Sequence, residues 1–187
     1  MTNFYLIRHA HTDFTYEEQR SLSEKGQTDA QSIADLLSRY PITQIFSSPF
    51  QRAFQTVQPL AKKLGLEIHI EPDLRERCLG DDPQGNDFQS MVQQAWQEPS
   101  YSFPGGESNR AAQHRGVRVI RQLMERFDGE HLVLSTHGNL LCLILQFYDQ
   151  SINYDFWKKM TMPDVYSFLY LKEGMKITRI WLPLPGS

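Results

Sequence analysis

The chain has 187 residues, of which 40% are apolar and 22% charged, and a formal net charge of −3. This length and composition predict one globular domain, residues 1–187, whose core is stable without disulfides or a structural metal. The mild negative charge excludes a broad basic surface for nucleic acid. Any site for an anion therefore has to be a local cluster of positive groups.

The cysteines and the apolar segments bear on the compartment. Cys78 and Cys142 lie far apart and form no CxxC pair, so they predict neither a disulfide framework nor a zinc site. The first seven residues lack the features of a signal peptide. The most apolar region, 132–148, is broken by polar residues at 135–139, and neither half is long enough to cross a bilayer. We expect a cytoplasmic protein with no membrane partner.

The predicted elements alternate between strands and helices along the chain. Strands are expected at 4–7, 42–46, 66–70 and 131–134, and helices at 23–40, 49–64, 107–127 and 140–147. An irregular segment is expected at 79–106, and the chain ends in a strand pair, 165–171 and 176–181, around a turn at Glu173-Gly174. This order predicts an α/β fold, a three-layer α/β/α sandwich with a mainly parallel sheet, in which the last pair can form an antiparallel edge.

Three of the predicted strands lead directly into polar residues that suit a phosphate. Arg8 and His9 end the first strand, Arg52 lies just after the second, and His137 follows the fourth. Ligands of open α/β sheets bind beyond the carboxyl ends of the strands, so we expect these side chains at one edge. Guanidinium forks and imidazoles complement a dianionic phosphoryl group. The helices beginning near Pro49 and after His137 are expected to add backbone N–H groups.

Short motifs in a consistent order connect this edge to a known family. They lie at Leu6–Thr12, Leu22–Gly26, Ser47–Ala53, Leu74–Glu76, Gly105–Ser108 and Thr136–Gly138. Together they resemble the histidine phosphatase superfamily, the phosphoglycerate mutase-like group, and within it the phosphatase branch. The resemblance implies a phosphoglycerate mutase-like fold and a phosphomonoester hydrolase of the histidine acid type. It also implies a nucleophile at His9, phosphate ligands at Arg8, Arg52 and His137, and a general acid at Glu76.

The residue types agree with that chemistry. A neutral imidazole can attack phosphorus and so divide hydrolysis into two steps. Cationic side chains stabilise the charge on the equatorial oxygens, and a carboxyl group protonates the leaving oxygen and then activates water. Asp81 and Asp82 are the alternatives to Glu76 for the acid. The expected substrate-binding set also includes Thr12, Gly138 and Asn139. Neither a metal nor an organic cofactor is expected.

Two positions depart from the family's usual pattern. Ala10 stands where the family usually has glycine, and its methyl group is tolerated if the backbone dihedrals there are ordinary for an L-residue. Thr15 stands where many members carry an asparagine that binds phosphate. The loop between Thr12 and Leu22 is also shorter than usual. These departures concern the fit of the substrate more than phosphoryl transfer.

The first alternative is a mutase, which returns the phosphoryl group to its substrate and needs cations for a second acidic group. Residues 78–109 contain no Lys or Arg, and this favours a phosphatase. Residues 79–106 are expected to form a lid over the pocket, and their lack of positive charge argues against polyanionic substrates. Small phosphomonoesters and phosphoproteins both remain possible substrates.

Two further alternatives use the same residues differently. His9, His11 and Asp13 resemble part of the ligand run of a metal-dependent hydrolase, although Phe14 occupies the place of the last histidine. The fold can also carry a phosphate-binding module without catalysis, because a fold does not guarantee an activity. The presence of every core motif position argues against this last alternative.

Overall fold

A computed structural model describes residues 1–13, 19–82, 84–171 and 174–182. Its sheet contains β1 (Asn3–Arg8), β2 (Gln44–Ser47), β3 (Ile68–Ile70), β4 (His131–Thr136), β5 (Asp164–Leu171) and β6 (Gly174–Arg179). The strands are arranged in the order β3-β2-β4-β1-β5-β6. The first four are parallel, and β5 and β6 run antiparallel to their neighbours. The predicted mixed sheet with an antiparallel edge is confirmed.

Helices cover both faces of the sheet. They are α1 (Glu24–Leu37), α2 (Gln51–Leu64), α3 (Phe88–Gln97), α4 (Asn109–Arg126), α5 (Gly138–Tyr148) and α6 (Tyr154–Lys159). Successive side chains of a strand point to opposite faces, and β1 illustrates this, with Phe4 and Leu6 in the core beneath α4 and α5. Tyr5 and Ile7 lie in the other core, beneath α1 and α2. Strands buried on both faces explain why the sequence reads as continuous apolar runs.

The structure corrects the expectation that residues 79–106 are irregular throughout. Helix α3 lies inside this segment, with Asp87 as its N-cap, accepting a hydrogen bond from the Ser90 N–H. Met91, Val92 and Ala95 form its buried face. Three apolar residues within a run of glutamines make a weak helical pattern, because short amphipathic helices depend on tertiary packing more than on propensity. Helix α6 was not predicted either, and it buries no residue completely.

The last strand pair forms as predicted, with β5 and β6 in antiparallel register from Tyr166 opposite Arg179 to Leu171 opposite Gly174. Glu173, part of the predicted turn, lies outside the described residues. Among the described residues, no helix has the length and apolar character needed to cross a membrane.

Candidate active site

The ends of three parallel strands meet at one edge of the sheet, as predicted. Strand pairing continues one residue past the strands, because the His9 N–H donates to the Thr136 carbonyl at 3.0 Å. The Ser48 N–H likewise donates to the Ser135 carbonyl at 2.9 Å. A cavity of about 870 Å³ opens at this edge. Five predicted residues, Arg8, His9, Arg52, Glu76 and His137, line it together with Gly138 and Asn139.

His9 is only 5% exposed, and the structure determines which of its ring nitrogens carries the proton. Its Nδ1 lies 2.8 Å from the Ala10 carbonyl oxygen, which can only accept a hydrogen bond, so Nδ1 is the protonated nitrogen. Nε2 therefore holds a lone pair, and the Arg52 Nε–H donates to it at 3.2 Å. Burial, together with the charges of Arg52 and Arg8, lowers the pKa of His9 to about 3. The imidazole is neutral at physiological pH.

His137 caps α5 and is completely buried beside His9, with the two ring centroids 5.2 Å apart. Its Nε2 lies 2.7 Å from the Ser48 hydroxyl oxygen, and its Nδ1 has no hydrogen-bond partner among the described residues. Burial lowers the pKa of His137 well below its ordinary value, and the nearby His9 and Arg52 add to this effect. This ring is also neutral, and it has one polar atom left for a ligand.

The Arg8 side chain reaches the cavity and is closely packed against neighbouring residues. Its Nη1 donates to the carbonyls of Met160 and Thr161 at 3.2 and 3.3 Å, and its buried Nε has no partner among the described residues. A Cβ at Gly138 would lie 3.1 Å from this Nε and 3.4 Å from the Trp157 indole nitrogen. Glycine at this motif position therefore leaves room for the guanidinium.

Glu76 is held by backbone N–H groups at the start of α5. Its Oε2 accepts from the Asn139 N–H at 3.0 Å, and its Oε1 accepts from the Leu140 N–H at 3.0 Å and the Arg77 N–H at 2.8 Å. Two N–H groups of α5 therefore bind Glu76, and the expectation that this helix start contacts phosphate stays a prediction for its other N–H groups. At the other expected helix end, the Phe50 N–H donates to the Ser48 hydroxyl and the Gln51 N–H to the Gln19 side chain.

The remaining motif residues support the site from outside. The Thr12 side chain does not line the cavity, but its hydroxyl accepts a hydrogen bond at 3.2 Å from Arg20, which does. Ala10 is fully buried, and no described residue other than glycine has a positive φ, so its methyl group causes no backbone strain. A Cβ at Gly26 would overlap the His11 carbonyl, which explains the glycine at the start of α1. Thr15 lies outside the described residues.

The cavity contains residues that the sequence did not single out. Among the described residues, Arg20 and Arg77 bring the arginines that line the cavity to four, against the one carboxylate of Glu76. An apolar wall is formed by Leu79, Phe88, Trp157 and Met162. Residues 78–109 contain no Lys or Arg, but the positive charge of the cavity comes from arginines outside this range. Arg77 lies one position before that range, and Arg20 lies in the loop that precedes α1.

The metal-ligand alternative is not assembled in the described residues. His9 Nδ1 is hydrogen-bonded to the Ala10 carbonyl, and the His11 Nδ1 lies 2.8 Å from the Ser23 hydroxyl oxygen. Asp13 is exposed. No group of three or more His, Cys, Asp or Glu side chains in the described ranges is placed to hold a metal ion. The two alternative acids also differ from Glu76, because neither Asp81 nor Asp82 lines the cavity.

Comparisons with known proteins show the family of this chain. The profile of the "Histidine phosphatase superfamily (branch 1)" matches residues 4–179. Phosphoglycerate mutase-like protein 4 of Arabidopsis thaliana is 32% identical over 161 residues, which are 73% of this chain and 66% of the plant protein. Glucosyl-3-phosphoglycerate phosphatase of Mycobacterium tuberculosis is 28% identical over 160 residues, 74% of this chain and 71% of that protein.

Solved structures show the same fold. Bacillus stearothermophilus YhfR superimposes with a TM-score of 0.77 at 23% identity, and the match covers 96% of each chain. At this identity the likeness concerns the fold alone.

Proposed function

The chain belongs to the histidine phosphatase superfamily, and from that membership we propose that it hydrolyses phosphomonoesters through a phosphohistidine on His9. The observation that carries the proposal is the state of the His9 ring. The imidazole is buried and neutral, its Nδ1 proton is bound by the Ala10 carbonyl, and its Nε2 lone pair lies at the cavity beside Arg52. A fixed neutral imidazole is the form of histidine that can act as a nucleophile.

In the first step, the Arg52 Nε–H leaves His9 Nε2 and turns to a phosphoryl oxygen, His9 Nε2 attacks phosphorus, and the bond from phosphorus to the ester oxygen breaks. Arg8, Arg52 and the free Nδ1 of His137 stabilise the charge on the phosphoryl oxygens. We assign the Ser48 hydroxyl as the donor to His137 Nε2, 2.7 Å away, so that the proton of that ring is on Nδ1 and available to the phosphoryl group. Glu76 gives its proton to the departing ester oxygen, so the alcohol leaves neutral.

In the second step, water attacks the phosphohistidine. Glu76, now a carboxylate, takes a proton from the water, the N–P bond breaks, and inorganic phosphate leaves with His9 restored. Three backbone N–H donors hold Glu76 at the cavity wall in both steps. Asp82 is less suited to this role because it does not line the cavity.

Residues 79–106 are proposed to cover the cavity, since Leu79, Asn86 and Phe88 supply part of its lining. The phosphoryl group is held by the strand ends, and this segment meets the rest of the substrate. Enzymes commonly separate the two roles in this way, because the residues of connecting loops vary while the helices and strands hold the reacting groups in position.

Mutase chemistry is the second candidate, favoured by the two additional arginines in the cavity and by the mutase-like relative. The two reactions differ in the acceptor of the phosphoryl group, which is water in one case and the hydroxyl of a phospho-acid in the other. Incubation with 3-phosphoglycerate separates them: a phosphatase releases inorganic phosphate, and a mutase forms 2-phosphoglycerate with little phosphate release.

The test is a phosphatase assay on a panel of phosphomonoesters with a chelator present, comparing wild type with His9→Ala and Glu76→Gln. We expect chelator-resistant hydrolysis by wild type, loss of it in His9→Ala, and a decrease of roughly 100-fold or more in Glu76→Gln. Full activity in His9→Ala would overturn the mechanism. Activity retained in Glu76→Gln but lost in Asp82→Asn would move the acid to Asp82. An inactive wild type across the panel would favour the phosphate-binding module.

A further inference from the structure

The carboxylate of Asp164 is completely buried at a point that the proposed mechanism does not use. Asp164 is the first residue of β5 and pairs directly with Arg8, the last residue of β1. Residues opposite each other in paired strands lie on the same face of the sheet, so the two side chains are neighbours. Asp164 is 0% exposed and does not line the cavity, whereas Arg8 does. A charge buried in this way needs partners that offset its desolvation.

The partners of Asp164 occupy all of its acceptor positions. Its Oδ1 accepts from the Arg179 Nε–H at 2.7 Å and from the Val165 N–H at 3.1 Å. Its Oδ2 accepts from the Thr161 N–H and from the Tyr166 hydroxyl, both at 3.1 Å. A carboxylate has about four lone-pair sites. The side chain is therefore saturated by its own surroundings and is not a site for a ligand.

The same network fixes the turn that holds Arg8. The Nη1 of Arg8 donates to the carbonyls of Met160 and Thr161. Thr161 is held at two further atoms, because its N–H donates to Asp164 and its hydroxyl accepts from the Arg179 Nη2 at 2.8 Å. With one end of the Arg8 guanidinium bound in this way, the rest of it is held in a fixed direction at the cavity wall.

Asp164 also offsets the cost of burying the Arg8 charge. Burial lowers the pKa of Arg8, and the negative charges of Glu76 and Asp164 raise it. Glu76 is proposed to lose and regain its proton during each turnover, whereas Asp164 lies outside the cavity and takes no part in the reaction. Asp164 is therefore the acid that can stabilise the guanidinium in both steps.

We propose that Asp164, assisted by Arg179, is a positioning residue that holds the guanidinium of Arg8 against the phosphoryl group. This inference rests on the proposed function, because it assumes that Arg8 binds the phosphoryl oxygens. It gives Arg179 a role although this residue lies outside the cavity and its side chain is 39% exposed. A side chain that is already fixed loses less entropy when it binds, so supporting residues change the affinity of a site that they do not touch.

Asp164→Asn tests the carboxylate with little change in size. Either orientation of the new amide brings its NH₂ group against a backbone N–H, that of Thr161 or that of Val165. Two donors cannot bond to each other, so the turn at 160–163 and the Arg8 side chain should shift. Calorimetry with inorganic phosphate measures the effect without turnover. We expect Kd to rise by roughly 5- to 30-fold, which is part of the roughly 10- to 100-fold rise expected when Arg8→Met removes the charged hydrogen bonds themselves.

A double-mutant cycle separates the positioning of Arg8 from a general structural role. In an Arg8→Met background the guanidinium is absent, so adding Asp164→Asn should change Kd by less than about twofold. In an Arg20→Met background Arg8 is intact, and Asp164→Asn should cause its full loss of affinity. The value of kcat/KM on a phosphomonoester should follow the same pattern. An equal loss in both backgrounds would mean that Asp164 acts on the fold in general and would overturn the inference.

Arg179→Met tests the same network from outside the cavity and remains informative if Asp164→Asn does not fold. It removes the donors to Asp164 and Thr161, and we expect Kd for phosphate to rise by roughly 3- to 10-fold. Lys63→Met is the matched control, because it also removes one positive charge, from an ion pair with Asp35 at 2.6 Å in which the lysine side chain is 44% exposed. It should leave Kd within about 1.5-fold of the wild-type value. Arg179→Lys keeps the charge without the fork and should retain part of the affinity. Equal effects of Arg179→Met and Lys63→Met would contradict the inference.

Phosphate binding and hydrolysis separate this inference from the proposed function. A loss of phosphate affinity in Asp164→Asn that depends on Arg8 supports the inference even if wild type hydrolyses nothing, which would overturn the proposed function alone. Hydrolysis by wild type, with a Kd for phosphate that is the same in wild type, Asp164→Asn and Arg179→Met, overturns the inference alone. The number of sites per chain shows whether a variant is folded. A lower number with an unchanged Kd means a structural role and also overturns the inference.

Discussion

Individual side chains of the site are buried with polar atoms that have no partner among the described residues, as His137 Nδ1 and Arg8 Nε are. His9 and His137 are buried as neutral rings. The Nε of Arg8 is buried and has no hydrogen-bond partner among the described residues. Such arrangements cost folding free energy and are retained where a ligand uses the unpaired atoms. The stability of the free protein should therefore depend on pH in a way that reports on the site.

We predict that His9 makes the protein less stable as the solution becomes acidic. Its pKa is about 3 in the folded protein and near 6.5 when unfolded, so the unfolded chain takes up the proton first as the pH falls. The stabilisation is complete above the unfolded pKa and is lost between about pH 6.5 and 3. Between about pH 7.5 and 5 the loss from His9 is roughly 2 kcal/mol.

Urea unfolding of wild type and His9→Gln at the two pH values measures this loss. The decrease in unfolding free energy should be smaller in His9→Gln by about 2 kcal/mol. His114→Gln, a change of an exposed histidine, serves as the matched control and should behave like wild type. Identical pH dependence in wild type and His9→Gln would contradict the neutral buried imidazole.

Much of the site at this scale was accessible from sequence, and the limits are physical. Arg8, His9, Arg52 and His137 each follow a recognisable strand, and parallel pairing brings strand ends together. The protonated nitrogen of His9 was not accessible, because it depends on the direction of one carbonyl. Arg77 was not accessible either, since an arginine among charged neighbours resembles a surface residue until its burial is known.

Among the larger elements, the Gly105–Ser108 motif explains how Glu76, the proposed acid, is positioned. Glu107 binds Arg115 of α4 through two hydrogen bonds, and Arg115 in turn donates to the carbonyls of Asp73 and Arg75 just before Glu76. Three separate pieces of chain are thereby fastened together behind the cavity. The motif thus acts on Glu76 through α4.

We predict that Glu107→Gln lowers both stability and turnover. Arg115 would lose its ionic partner while remaining buried, which costs roughly 3 kcal/mol. Displacement of the Arg75 carbonyl should also reduce kcat through Glu76. Chemical denaturation and steady-state kinetics measure the two effects. Arg118→Gln removes an exposed ion pair with Asp73 and should cost less than about 1 kcal/mol. Equal losses in the two variants would contradict a special role for Glu107.

Helix α3 is joined to the site by one hydrogen bond, from the Trp96 indole N–H to the Asn139 side-chain oxygen at 3.1 Å. This bond orients the Asn139 amide, so its NH₂ group is the end available to a substrate. We predict that Trp96→Phe raises KM by roughly 2- to 10-fold with little change in kcat. Gln93→Ala on the exposed side of α3 is the control. A decrease in kcat alone would place the effect of Trp96 elsewhere.

Prediction of elements from sequence succeeded where apolar periodicity was strong. The strands of the parallel sheet and the helices α1, α2, α4 and α5 were expected, with bounds that moved by a few residues. Helix α3 was missed because its buried face consists of three residues, and its stability comes from packing that the local sequence does not reveal.

For the whole molecule, the distribution of charge matters more than its sum. The chain carries a formal net charge of −3, yet four arginines converge on one cavity. A concave cationic site in an acidic protein concentrates field lines and attracts anionic substrates to that location. The overall charge argues against a broad basic surface for nucleic acid, but it is compatible with strong local attraction of a phosphate.

We therefore predict that kcat/KM for a phosphomonoester decreases as ionic strength rises, by roughly 3- to 10-fold between about 0.02 and 0.5 M salt. The effect should appear mainly in KM, because the groups closest to phosphorus are buried and poorly screened. Replacing NaCl with KCl checks for specific ion effects. A kcat/KM that does not change with salt would contradict electrostatic attraction by the cavity.

The attachment of Glu76 has a consequence for how this enzyme can change. Glu76, the proposed acid, is tied to the first turn of α5, the same turn that His137 caps, so the spacing between the proposed acid and the proposed phosphate ligand is a property of one helix end. Among the described residues, 79–106 donate no hydrogen bond to Glu76, and their hydrogen bond to this turn comes from the Trp96 indole N–H to the Asn139 side chain. This segment is therefore exchangeable: grafting a different one should retarget the enzyme to new alcohols while leaving its reaction machinery intact.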